Sequence, residues 1–198
     1  MVQGACSVRR RLSESMAVSE KVRFRFDQML GRISEIPNVA LAEKDGLDAR
    51  LTIREHPPLD SVRVRYLCKN RLFSRDYHTI FHAGGARCAS SSWSCSLRYR
   101  GKEAFFSSEN PAAAEYFNGI PTLAKRCSDL DVVKLLISQS GTEYDISLET
   151  MAGSVTWMLI PPLTYQIPAD PKEYLGILEI LQLCSTIQYV RLEDGAEF

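Results

Sequence analysis

DVVKLLISQSGTEYDISLETMAGSVTWMLI, residues 131–160, decides the fold class. Tyr144, Ile146 and Leu148 alternate with Glu143, Asp145, Ser147 and Glu149. A two-residue period puts apolar groups on one face of a strand and polar groups on the other. Gly141 and Gly153 divide the stretch into runs 131–138, 142–150 and 154–160. Three extended runs joined by short turns predict an antiparallel meander, because a parallel pair needs a long crossover.

The flanks extend the same pattern. Upstream, runs 39–43 and 47–54 meet at Asp45-Gly46, a hairpin signal. His56-Pro57-Pro58 ends the second run. Val62, Val64, Tyr66 and Cys68 alternate with Arg63, Arg65 and Lys69, and 77–81 reads as a further strand before a break at Gly84-Gly85. Runs 93–100 and 103–106 fold about Gly101.

Helices fill the gaps. Val22, Phe26, Met29, Leu30 and Ile33 share one face of a helix over 19–35, stopped by Pro37. A competing strand reading of Val22, Phe24 and Phe26 fails because its alternation does not continue. Asn110-Pro111 and Pro121 open two short helices, and Asp170-Pro171 opens the last, which ends near Thr186. Strands follow strands rather than alternating with helices. The expected class is therefore α+β: an antiparallel sheet packed by N-terminal and C-terminal helices and a short central helical pair.

The expected organisation is a flexible tail over 1–15, one α+β domain over 16–190 and an acidic tail over 191–198. Met16 is an alternative start. A loose echo divides the domain into similar halves, 16–108 and 109–190, with no residue-level repeat. The 198 residues are 45% hydrophobic, enough for a core without metal or disulfide staples. No CxxC occurs among the six cysteines, no secretory signal is visible and no apolar run is long enough to span a bilayer. The expected thiols are reduced, the expected location cytoplasmic, and a membrane is not an expected partner.

Charge is the most extensive signal. Residues 1–102 hold 19 Lys and Arg against 10 Asp and Glu, and residues 103–198 hold 5 against 14. Zero net charge therefore hides a surplus of nine of each sign. Arg50, Arg54, Arg63, Arg65, Lys69, Arg71, Arg75, Arg98, Arg100 and Lys102 populate the predicted strands, interleaved with Tyr66, Phe73, Tyr77, Trp93 and Tyr99. Basic and aromatic groups together suit an anionic partner. A pI near 6.8 and the absence of any RNA- or DNA-binding motif argue against nucleic acid. The acidic half of the same chain, in cis or in a homodimer, is an equally natural counterpart.

No constellation names a reaction. His78 and His82 stand four apart near Cys88 and Cys95, at no standard zinc spacing. The same histidines, with Asp76 and the serines at 90–92 and 94, have the residue types of a nucleophilic site but no GxSxG elbow. Gly84-Gly85-Ala86-Arg87 lacks the phosphate-loop lysine. Glu143, Asp145 and Glu149 share a strand face, as a cation site or a solvated surface would. Residues 157–163, WMLIPPL, read as core or as a partner contact. The expected function is a binding or adaptor domain needing no cofactor or metal, with an unknown protein or a small anionic ligand as partner. In the alternative, an enzyme or binding protein takes that ligand in a pocket between sheet and helices. Arg63, Arg65 and Trp93 are the ligand-binding candidates, and His78 and His82 the proton-transfer candidates. Association with nucleic acid through the basic half is the third reading.

Overall fold

A computed structural model describes residues 20–54, 59–86, 92–158, 160–161 and 163–186. The predicted tails, Met16, Ser19 at the start of the first predicted helix, His56-Pro57-Pro58 and Cys88 lie outside them. The strands are β1 (Val39–Asp45), β2 (Asp48–Ile53), β3 (Ser61–Asn70), β4 (Ser74–Ala86), β5 (Trp93–Arg100), β6 (Glu103–Ser108), β7 (Val132–Ser140), β8 (Glu143–Met158) and β9 (Leu163–Gln166). The helices are α1 (20–33), α2 (Pro111–Asn118), α3 (Pro121–Asp129) and α4 (Pro171–Ser185). All strand pairs are antiparallel, in the order β1-β2-β3-β4-β8-β7-β5-β6, with β9 against β8. The α+β expectation is met.

The helices pack on one sheet face. Phe26 of α1 meets Tyr66 edge-on, with ring centroids 4.9 Å apart. Tyr174 of α4 lies 6.5 Å from Phe81, and Phe117 of α2 lies 5.9 Å from Trp93 and 5.3 Å from Phe106. The Tyr99 hydroxyl reaches under α3 to the Cys127 and Val132 carbonyls. Val62, Val64, Leu51, Leu135, Ile146 and Leu148 complete this core. Cross-strand partners share a face. Arg63 therefore joins His82, and Lys69 joins Asp76, on the opposite face, which no described helix covers.

Two expected breaks are absent. β4 runs through Gly84 and Gly85, where Tyr144 of β8 packs so closely that a Cβ on Gly85 would stand 2.9 Å from its ring. The predicted turn at Gly153 lies inside the single strand β8. There Thr79 pairs with Thr150 and Tyr77 with Val155, so Met151, Ala152, Gly153 and Ser154 bulge opposite His78 alone. At this bulge the outer neighbour of β8 changes from β7 to β9. The chain is knitted through it. The Thr79 amide donates to Ser154 Oγ, that hydroxyl donates to the Thr150 carbonyl, and the Gly153 amide donates to the Ile167 carbonyl.

Candidate functional site

The helix-free face collects the titratable groups of the central strands. Strand pairing brings Arg50 of β2, Arg63 and Arg65 of β3, and His82 and Gly84 of β4 beside Asp145 of β8. With Ser61 and Ala83 they line a recess of about 310 Å³. Two predicted anion ligands and one predicted proton carrier thus meet in one place. The alternation that made β3 a strand is what aligned its arginines.

Not every cation here is free. Arg63 makes a bidentate pair with Asp48, Nε to Oδ1 and Nη2 to Oδ2, each 2.7 Å. That pair holds the Arg63 guanidinium above its ordinary pKa. Arg65 Nε and His82 Nε2 are different: both atoms are buried and have no hydrogen-bond partner among the described residues. A buried polar nitrogen without a partner costs about 1–3 kcal/mol relative to a satisfied one. Burial pushes the His82 pKa below its ordinary value. Arg65 and Arg63 push the same way, and Asp145 and Asp48 oppose them.

His78 occupies another site on the same face. On a strand, four residues span about 13 Å, so His78 and His82 cannot grip one ion as they would on a helix. His78 Nδ1 lies 2.6 Å from Glu149 Oε1, close enough for an ion pair but off the line of a ring N–H hydrogen bond. Lys69 closes on the same carboxylate. Burial alone would raise the Glu149 pKa; Lys69 and His78 outweigh it and hold the carboxyl below its ordinary value. Arg71 and Thr156 likewise occupy the buried Asp76. Of the carboxylates read from the sequence as one row, Glu149 is thus held by Lys69 and His78, while Asp145 lines the Arg63 recess.

Trp93 does not join the arginines. Its ring is buried on the helix-covered face against Phe117. It borders a wide recess of about 870 Å³ with Ser94, Glu109 and Ser140. Asn110 there caps α2 through the Ala113 amide, and Ser92 donates to the Gln139 carbonyl. Missed by sequence reasoning were Arg50 and Asp145 as members of the Arg63 recess, because the β4–β8 pairing that delivers Asp145 joins residues some sixty positions apart.

Among the described residues no three His, Cys, Asp or Glu side chains are grouped as a metal site would require. Cys68, Cys95 and Cys127 are free thiols. Burial raises Cys95 to about 11 and Cys127 to about 12, which leaves both protonated and unreactive near neutrality. No described helix is long and apolar enough to cross a membrane.

No curated protein and no solved structure matches the chain. Residues 35–187, which carry every described strand and the whole recess, match the family described as Protein of unknown function (DUF3156), and the chain belongs to that family.

Proposed function

We propose that this protein is a binding domain that captures an anionic group, a carboxylate or a phosphate, in the recess of Arg50, Arg63, Arg65 and His82. The observation that carries the reading is the pair of unpartnered buried nitrogens, Arg65 Nε and His82 Nε2, at one recess. A side-chain shift that turned both nitrogens toward the recess would let one oxyanion satisfy them. Asp48 supports the reading by orienting Arg63 rather than neutralising Arg65. Asp145 works against excess charge in the site, so the recess favours one compact anion over a polyanion. The anion belongs to a small ligand or to the side chain of a partner protein; the recess chemistry is the same.

Calorimetric titration of the full chain with sodium sulfate tests this. Saturable binding is expected, and Arg65→Ala should weaken it roughly tenfold, the loss of one charge-assisted hydrogen bond. Unsaturable heats, or an Arg65→Ala affinity equal to that of the parent, would overturn the proposal.

A further inference from the structure

The most exposed apolar side chains are not scattered. Leu72, Ile160, Tyr165, Phe73 and Leu163 are 82%, 73%, 64%, 59% and 55% exposed, five of the six highest among the described large hydrophobics. The sixth, Phe24, is on α1. These five belong to two adjacent hairpins. Leu72 and Phe73 form the β3–β4 turn, closed by the Arg71 amide donating to the Ser74 carbonyl. Ser74 pairs with Met158, and Met158 pairs with Leu163 of β9. The β3–β4 and β8–β9 tips therefore stand side by side at one end of the sheet, about 25 Å along β4 from His82.

The two tip segments themselves carry charge of one sign. No Asp or Glu occurs between Asp60 and Asp76, or between Glu149 and Asp170. Of the carboxylates flanking these segments, Asp76 and Glu149 are buried and already held by Arg71 and Lys69, while Asp60 and Asp170 are exposed. Arg71 itself is two-thirds exposed, and Arg75 lies over the Trp157 ring, 5.6 Å from its centroid. Protruding Leu, Phe and Ile side chains, with Tyr and Trp set behind them and arginines at the rim, are the chemistry of an interfacial anchor. A rigid protein partner asks instead for a flat, well-packed patch of about 800 Å². Side chains this exposed offer little self-packing and suit a fluid medium.

We propose that the two hairpin tips insert into the surface of a bilayer carrying anionic headgroups. Leu72, Phe73, Ile160 and Leu163 enter the acyl boundary, and Arg71 and Arg75 meet lipid phosphates. This contact needs no spanning segment and does not use the recess.

Co-sedimentation with phosphatidylcholine vesicles, with and without about 30% phosphatidylserine, tests it. Binding is expected to the anionic vesicles and to fall at least tenfold in the double variant Leu72→Asp/Phe73→Asp and in Ile160→Asp. These positions are exposed, so the variants should keep the circular dichroism of the parent. Arg65→Ala should bind vesicles like the parent, and Trp157 emission should shift to the blue on binding. No retention on anionic vesicles, retention that the tip variants leave unchanged, or retention abolished by Arg65→Ala would overturn the proposal. So would a parent dimer that the tip variants convert to monomer without any vesicle binding.

Discussion

His82 shows how much one side chain's surroundings decide. Its pKa lies below the ordinary histidine value because burial and two arginines disfavour the cation. The unfolded chain therefore takes up a proton before the folded chain does. Stability contributed by neutral His82 is present above the unfolded value, about 6.5, and is lost as pH falls from there toward the folded value. An anion in the recess reverses the balance, since it favours imidazolium. Sulfate stays dianionic between about pH 5 and 8, where histidine changes charge. Its affinity should thus rise as pH falls, and His82→Gln should flatten that dependence. The charged groups facing His82 are Arg50, Arg63, Arg65, Asp48 and Asp145. Equal slopes in parent and variant would show that the pH dependence arises elsewhere. That Arg63 and Arg65 share a face was legible in the sequence because alternation alone assigns a face; His82 lies just beyond the run 77–81 that the sequence marks as a strand, in a β4 that extends to Ala86. Trp93 was not, because β5 presents it to the helices, and a single strand does not say which of its two faces will be covered.

Strand β8 decides the element scale. Sequence periodicity located both ends of its pattern but read Gly153 as a turn, since a glycine between two extended runs has the same local signature in a turn and in a bulge. What separates them is tertiary. Gly153 has φ +74°, and a Cβ there would stand 2.5 Å from Tyr174 Oη and 3.1 Å from Met29 Sδ, two side chains delivered by different helices. Its carbonyl accepts a 2.6 Å hydrogen bond from Tyr66. Gly153→Ala should therefore combine left-handed backbone strain with overpacking, a loss of about 2–4 kcal/mol in urea unfolding. A loss below 1 kcal/mol would mean that Tyr174 and Met29 move aside easily. Helix starts, by contrast, were legible to the residue. Asn110 caps α2, and Asp170 caps α4 in a reciprocal box with Glu173, because capping is a contact between near neighbours in sequence.

For the whole molecule, the question is what the opposite charges of the two halves become in space. β7 and β8, from the acidic half, are inserted between β4 and β5, from the basic half. Arg98 and Arg100 of β5 are thus separated from Arg63 and Arg65 of β3 by four strand spacings, about 19 Å. That exceeds the screening length of about 8 Å at physiological salt, so the two basic groups do not act as one stripe. Lys69 spends its charge on Glu149, across the boundary between the halves. Among the described residues the sequence asymmetry is therefore interleaved rather than gathered at opposite ends of the sheet. What remains uneven on the helix-free face is local: a basic recess at one end of β4 and apolar tips at the other. If opposite charges do not join molecules, sedimentation mass should be the same at about 0.05 M and about 0.5 M salt, although screening strengthens severalfold between them. A mass that fell toward monomer at the higher salt would show complementary charged patches meeting between copies, and would contradict the interleaved arrangement. A mass that was high at both salts and fell in Leu72→Asp/Phe73→Asp would instead assign association to the tips, where the contacts are apolar and salt does not weaken them.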